Sequence, residues 1–584
     1  MTLAASPPKS IPAPAETSSA SVSDMPTETE VLVIGGGPVG LSFGLQFARA
    51  GVNALVVERR PTPSRHPKAN GIFSRTMEAL RQWGVANEVT ARGLPPELCL
   101  GFVWATRING IELGRIMFAD TLADLRNDYS RHSPEIPCFA PQDRIERLMA
   151  DEIGKNTSVD LRFGMEAMAI EQDSSGARVT LASSDGRRHM VRARYVVGAD
   201  GSRSTVKALV NLPEESTAPW GESVNIYFES KDFDALRAGR PYQLWWVINE
   251  DVRGAFWPVS HKYRWIFTPE GVPGAGAEYY TPAVCTELIR QGAGARVDVE
   301  VLSAMLWQHE MGVATQWRSG CVFLAGDAAH RFPPHGGFGM NGGIQDAQNL
   351  GWKLIAVLRG GAGSRLLETY EAERKPVASS NAAQTVRNAE LIKETGWFAP
   401  DPAELATIER PEGQAVRERI AAAVLRQAAS VHSQGQQFGA IYESDAIVSD
   451  GTVPAISSVA EYRESGSPGA RAPHLWIRSG ATILSILDLF RLDRLVLLVT
   501  EDGEPWKRAV VALGSNVPVF SIGSDAMDYQ STEFAALYGI DADGAVLVRP
   551  DGYVGWRAAR LPDDPADALL LAMNLILSLS VRQE

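Results

Sequence analysis

The chain is poor in cysteine: its 584 residues hold four, Cys99, Cys138, Cys285 and Cys321, far apart from one another. Without a CxxC pair or a His/Cys grouping at metal-ligand spacing, neither a disulfide framework nor a zinc site organises the fold, and no metal is expected. Thiols used so sparingly suit burial in a reducing cytoplasm. No run of about 18 apolar residues occurs, so no membrane span is expected. Positive charge is also short, since 56 Lys and Arg face 69 Asp and Glu for a net charge of -13. Nucleic acid is a poor partner for such a chain, because neutralising phosphates takes clustered Lys and Arg.

A hydrophobic fraction of 45% and a charged fraction of 21% describe a soluble globular protein, and the length calls for about three or four domains. Residues 1–28, rich in Ser, Ala, Pro and Thr with Lys9 as the only base, are expected to form a disordered tail. Then Val31 to Ile34 read as a fully apolar strand, followed by Gly35-Gly36-Gly37-Pro38-Val39-Gly40 and a helical pattern through Leu41, Leu45, Phe47 and Ala48. This is GxGxxG in the setting its physics requires. Gly35 permits the tight turn, Gly37 lets a pyrophosphate approach, and Gly40 lets helix and strand pack closely. A second strand, Ala54 to Val57, ends at Glu58, 18 positions past Gly40, where an acid binds a ribose hydroxyl.

The stretch Val322 to Leu350, VFLAGDAAHRFPPHGGFGMNGGIQDAQNL, repeats the logic of strand, glycine-rich loop and helix. Free amides at a helix start, with glycines lacking Cβ, suit a flat anionic cofactor, and Asp327 is placed to hold a ribitol or ribose hydroxyl. Another apolar strand closes on Gly198-Ala199-Asp200-Gly201-Ser202-Arg203-Ser204 like the return strand of a nucleotide-binding sheet. A hairpin is predicted near 100–118, and helices are predicted after Pro141-Gln142-Asp143 and over 365–393. Residues 224–268 read as successive antiparallel strands rich in Tyr, Trp and Phe, with one face on helices and the other on an apolar pocket. Gly360-Gly361-Ala362-Gly363 follows a helix and reads as a loop or C-cap, so no second dinucleotide unit appears.

With GGGPVG and Glu58, GADGSRS, and GDAAHRFPPHGGFGMNGGIQDAQNLGWKL in this order, the chain resembles class A flavoprotein aromatic monooxygenases of the para-hydroxybenzoate hydroxylase fold. Within them it is similar to the phenol, 2,4-dichlorophenol and 2-hydroxybiphenyl hydroxylase branch. The helix start Arg75-Thr76-Met77-Glu78 and the late LVRPDGYVGWR are also similar. The resemblance implies an α/β protein with a Rossmann-like, GR2-type FAD-binding domain (29–206, carrying the inserted hairpin, and 311–393 with the long helix). It also implies a region that is mainly a substrate-binding antiparallel sheet (207–310), a helical connector (394–460) and a thioredoxin-like C-terminal domain without CxxC (461–584), suited to packing or to a homodimer.

It further implies bound FAD, transient NADH or NADPH, and O2, acting through a flavin C4a-hydroperoxide on a phenolic substrate. The cofactor residues it implies are Gly35, Gly37, Pro38, Gly40, Glu58, Arg59, Lys68, Arg75, Gln142, Asp200, Gly326, Asp327, Pro334, Gly337, Gly339, Met340 and Asn341, with Pro333 beside the isoalloxazine. One position departs. Five residues before Arg75, where the branch often carries an acid or histidine as base on the phenol, stands Asn70. Asparagine binds a phenolate but takes no proton at neutral pH. Glu222, Tyr227, Tyr242, His261 and His335 are the remaining candidates for proton transfer. A flavin-dependent halogenase is disfavoured, because Trp245-Trp246-Val247-Ile248 does not match WxWxIP. A Baeyer-Villiger or polyketide-tailoring oxygenase of the same fold is the closer alternative, and a catalytically silent flavin-binding interaction protein the more distant one.

Overall fold

The first strand, Glu28–Ile34, lies between Ala54–Glu58 and Arg188–Gly198 and pairs in parallel with both. A central parallel strand has helices over both faces and must be apolar throughout, which is why Val31, Leu32 and Val33 are consecutive and fully buried. The sheet continues outward through Val322–Leu324 and Arg318–Ser319 on one side and Val159–Phe163 on the other. Its parallel strands therefore end together at Ile34, Glu58, Gly198 and Leu324. The crevice beyond those carboxyl ends is where open α/β sheets bind ligands.

Two helices follow these strand ends. Pro38–Ala50 and Phe338–Leu358 pack against each other, with Gln46 Nε2 donating to the Ala347 carbonyl at 2.9 Å. The computed structural model describes residues 25–216, 221–260, 263–397, 401–524, 527–529 and 531–579; most of the tail predicted for 1–28, and His261, lie outside the described residues. Among the described residues, no helix is long and apolar enough to cross a membrane.

A second sheet has seven strands in the order Glu300–Gln308, Glu222–Glu229, Arg264–Pro269, Arg253–Pro258, Tyr242–Ile248, Gly101–Ala105 and Glu112–Met117. The last two are the predicted hairpin. It belongs to this sheet and not to the FAD-binding part, joined by parallel pairing of Gly101–Ala105 with Tyr242–Ile248, so the sheet is mixed where uniform antiparallel pairing was expected. One face buries Ile226, Phe228, Trp245, Phe256 and Phe267 against the helix Pro282–Ala293. The other face turns to the FAD-binding part, where His66 Nδ1 meets Ser303 Oγ at 2.7 Å.

The predicted long helix is Thr369–Lys393, with Pro376 inside it and a short 3-10 turn, Ser364–Glu368, before it. In the connector, Gln414–Arg426 buries Ile420 and Val424 against Trp104 and Ile248. The C-terminal part is a four-stranded sheet ordered Val519–Ile522, Val496–Thr500, Ala545–Val548, Val554–Ala558.

Candidate active site

Three glycines of the first turn have separate tasks. A Cβ on Gly35, whose φ is +116°, would stand 2.2 Å from the Ala199 carbonyl oxygen, and one on Gly40 would stand 1.8 Å from the carbonyl of Gly35. At Gly37 a Cβ would meet nothing within 4 Å. Gly35 and Gly40 therefore close the turn, while Gly37 borders open space as the N-cap of Pro38–Ala50, with no side chain covering the first amides. Pro38 at the first helical turn has no N–H to leave unpaired. Such an open amide face has the chemistry to receive an anion such as pyrophosphate.

Glu58 is buried at the end of its strand. Its Oε2 accepts from the Gly36 amide at 2.7 Å, and its Oε1 accepts from the Arg60 amide at 2.9 Å and from Arg60 Nε at 2.8 Å. Burial alone would raise its pKa, but the Arg60 contacts and the Gly36 amide hold it below the ordinary carboxylate range. Arg59, named from the motif, is exposed. Its neighbour Arg60 is the arginine that turns inward, toward Glu58 and Glu146.

On the flavin side, Asp327 touches solvent yet is crowded by protein, the position of a group inside a recess. That crowding raises its pKa, opposed by His330 and Lys68. Lys68 stands in the same recess, its ammonium pushed down by burial and by Arg60. Gly326, with φ +61°, donates its amide to Asp346 Oδ2 at 3.0 Å. The same oxygen lies 2.6 Å from His330 Nε2, and Asp346 Oδ1 accepts from Arg374 Nε at 2.8 Å. Asp346, which fixes this loop, was not singled out from sequence; the signal for it is a buried carboxylate that shares one helix face with Asn349 and Lys353. Gln142 begins the helix Gln142–Gly154 and donates to Glu146 at 2.7 Å.

The loop before Phe338–Leu358 puts Gly336 at φ +135° and Gly337 at +73°, and the helix starts with no side-chain cap. Its first amides, including those of Gly339 and Met340, lack helical partners. A Cβ on Gly339 would face only Asp327 Oδ1, 3.9 Å away. Pro333 is buried in the loop and Pro334 exposed. Asn341 uses its side chain to clamp the neighbouring strand, accepting from the Phe73 amide at 2.9 Å and donating to the Gly71 carbonyl at 3.0 Å. Asp200 likewise uses both oxygens locally, on Ser204 Oγ at 2.7 Å and the Val206 amide at 3.0 Å.

Other assignments need correction. Arg75 does not reach toward a pyrophosphate: it is buried, donates to the Asp551 carbonyl at 2.8 Å and lies over the Tyr553 ring. Tyr242 is packed with Trp245 on the helix-covered face, its hydroxyl accepting from Arg115 at 3.2 Å. A register shift between Tyr242 and Leu244 breaks the strand's alternation there. Glu222 sits at the solvent end of its strand and accepts from Gln308 at 3.1 Å. His335 is buried beside His309, and burial with that neighbour drives its pKa to about 3, so it stays neutral and is a weak base. Tyr227 remains on the cofactor-facing side, edge-on to His66 and accepting from Arg264 at 3.4 Å, with burial raising its pKa.

Asn70 leads into the strand Gly71–Ile72, which pairs with Cys138–Phe139. Its backbone carbonyl accepts from the Ala140 amide at 2.8 Å, while its side-chain Nδ2 is buried without a protein partner. Phe139 stacks on Phe118 at 6.1 Å, and Phe118 meets Phe102 edge-on at 5.0 Å. Across the cofactor-facing side of the sheet, Met305 and Trp307 leave 38% and 39% of their surface open, which is unusual for apolar groups on an inward face. Trp307 adjoins His309, and His309 adjoins His335 of the loop. Their alternation with Ser303 was legible in the sequence, but this strand was not recognised there.

A model described as the FAD binding domain matches residues 28–385, and one described as the C-terminal domain of aromatic-ring hydroxylases matches 465–578. The chain belongs to the FAD-dependent aromatic-ring hydroxylases. This hydroxylase is 34% identical to 2,4-dichlorophenol 6-monooxygenase of Delftia acidovorans, over 94% of this chain and 98% of that protein. It is 35% identical to tetracenomycin A2 monooxygenase-dioxygenase of Streptomyces glaucescens, over 94% and 97%. Among solved structures, the flavin-dependent monooxygenase PieE with FAD and substrate superposes with a TM-score of 0.87 at 30% identity, covering 95% of this chain and all (100%) of that one. The Gly37 cradle, the uncapped helix starts and the accessible Asp327 fit FAD.

Proposed function

We propose that this hydroxylase inserts one oxygen atom from O2 into a phenolic ring at the expense of NADH or NADPH. When bound, FAD supplies the redox and oxygen-activating chemistry. The residues of the chain bind and orient. Gly37 and the following amides receive the pyrophosphate, Glu58 the adenosine ribose, Asp327 the ribityl chain, and the amides at Gly339 to Asn341 the carbonyl edge of the ring. Pro333 and His335 shape the loop, and the aromatic wall of Phe102, Phe118 and Phe139 excludes water.

The substrate reading rests on the apolar surface left open at Met305 and Trp307 and on the Asn70 amide that has no protein partner. A planar, uncharged ring fits the first, and a phenolic oxygen satisfies the second. Two relatives of similar identity act, by their names, on a dichlorophenol and on a tetracenomycin, so fused-ring phenols belong in the substrate range. Phenols, nitro- and halophenols and fused-ring polyphenols should be screened for stimulated NADH and NADPH oxidation with mass spectrometry of products. A gain of one oxygen is expected, and holoenzyme that adds oxygen to none of them sinks the reading.

Asn70 carries its own prediction. Asn70→Asp puts a carboxylate where a neutral amide stands, so turnover of weakly acidic phenols should rise below their own pKa, while nitrophenols, already ionised, should lose about tenfold through repulsion of the phenolate. Equal pH profiles for the two substrate classes in wild type and variant would place Asn70 outside the substrate site.

We further propose that the C-terminal part is a thioredoxin-like domain. Its strands in chain order occupy sheet positions two, one, three and four, the first pair parallel and the others antiparallel. Helices Glu504–Ala512 and Pro565–Ile576 lie on one face and Ser531–Tyr538 on the other.

A further inference from the structure

The C-terminal turn Arg549-Pro550-Asp551-Gly552-Tyr553 is buried against the two helices that frame the cofactor loop. Asp551 Oδ2 accepts from Asn349 Nδ2 at 3.2 Å and Trp352 Nε1 at 3.1 Å, both on Phe338–Leu358. Its backbone carbonyl accepts from Arg75 at 2.8 Å, and the Pro550 carbonyl accepts from Gln82 at 2.8 Å, both on Ser74–Gln82. Arg549 forms a bidentate pair with Glu373 at 2.6 and 2.7 Å, and Glu373 also receives Lys353 at 2.8 Å and Asn349 at 2.7 Å. Two cations thus face two anions, all almost wholly withdrawn from solvent. Such a cluster is stable only with every member in place, which makes it a specifier of geometry more than a source of stability.

The grip reaches the loop by a second route. Tyr553 stacks on Tyr442 at 3.8 Å, and Tyr442 Oη accepts from Arg374 at 3.1 Å. Arg374 holds Asp346, which anchors the Gly326 amide and His330 on either side of Asp327. Asp346, Asn349 and Lys353 follow one another at helical spacing along a single helix, whose N-terminal turn carries the amides of Gly339 to Asn341. A change in roll or slide of that helix moves those amides relative to Asp327.

We infer that Asp551 is a positioning residue for FAD: the C-terminal domain, through this turn, sets the register of the Phe338–Leu358 helix against the Gly326–His330 loop. The inference rests on FAD being held at that loop and not on the substrate proposed above. Removing the Asp551 charge takes one of the two anions from Arg549, whose Nε donates to Asp551 Oδ1 at 3.1 Å, and weakens the hold on Trp352 and on Asn349, which keeps its bond to Glu373, so the helix loses part of its lock while the chain keeps its core.

The test compares three variants of the full-length protein, reading FAD affinity of the apoprotein by flavin fluorescence, the flavin midpoint potential and visible circular dichroism, and thermal midpoint. Asp551→Asn should bind FAD about tenfold more weakly, a loss of the order of one charged hydrogen bond, with a shifted potential and an altered dichroism spectrum. Trp352→Phe, which removes the indole donor to Asp551 and trims the buried ring under the Arg549 guanidinium, should move the same readings in the same direction by a factor of about two to five. Val546→Ala is the control: it opens a cavity in the C-terminal core without touching the turn's contacts, and should lower the thermal midpoint while leaving FAD affinity and spectrum unchanged. FAD affinity within twofold of wild type in Asp551→Asn overturns the inference, as does an equal loss of affinity in Val546→Ala at the same fall in thermal midpoint. If Asp551→Asn yields no folded protein, Trp352→Phe decides, an unchanged affinity and spectrum overturning the inference.

Discussion

Asp327→Ala is expected to purify largely without flavin, with FAD affinity reduced about tenfold to a hundredfold, the range that loss of one or two hydrogen bonds to an ionised group produces. The same substitution should not weaken the apoprotein. Asp327 is held in a recess where crowding raises its carboxyl pKa above the ordinary value, and His330 and Lys68 compensate only in part. An acid whose folded pKa is raised binds its proton more tightly when folded, so its ionised form disfavours folding above that pKa, and the effect fades as pH falls below the unfolded value. The alanine variant should therefore equal or exceed wild-type apoprotein in thermal midpoint at neutral pH, with the difference vanishing in acid. A fully yellow variant would contradict the placement of Asp327 at the ribityl chain. A colourless variant with a lowered apoprotein midpoint at neutral pH would show that the residue serves the fold instead.

Arg374→Met should have the opposite character, strongly destabilising and strongly pH-dependent. Arg374 and Asp346 are 1% and 0% exposed, and the charge of Asp346 is matched by Arg374 and His330. Removing one partner of a buried pair leaves an uncompensated charge at a cost of about 3–5 kcal/mol. For Asp346, burial would raise the pKa, but His330 and Arg374 outweigh it and the value is lowered. A depressed carboxylate contributes stability that is present above its unfolded pKa and is lost as pH falls through the folded value. In Arg374→Met that depression shrinks, so the gap between wild type and variant should be widest near neutral pH and narrow on acidification. Urea midpoints measured from about pH 4 to pH 7, which brackets the carboxylate range and neutrality, test this. A gap independent of pH would mean that lost packing, not the unpaired carboxylate, accounts for the damage.

Both expectations involve the Val322 to Leu350 stretch, yet only one of the two acids was legible in sequence. Asp327 follows a strand and precedes a glycine loop, a context written in adjacent residues. Asp346 sits inside a helical pattern, and its meaning depends on Arg374, on His330 and, at one remove, on Tyr442 and Tyr553.

The sequence by itself determined the FAD-binding frame: Gly35, Gly37, Gly40 and Glu58, the Gly198 to Ser204 return, and the loop from Gly326. These are local requirements of backbone conformation, such as φ +116° at Gly35 or contacts closer than a Cβ allows at Gly40, and a local requirement leaves its trace in contiguous residues. Tertiary structure alone decided which groups turn toward the FAD-binding part and which turn away from it. Alternation along a strand tells which side chains share a face but not which face turns to the cofactor, so Tyr227 and Tyr242 looked equivalent until packing and a register shift separated them. It likewise chose Arg60 over Arg59 and sent Arg75 to a carbonyl in the C-terminal domain. A charged side chain goes to whichever partner the folded chain brings within reach, and that partner has no fixed spacing in the sequence.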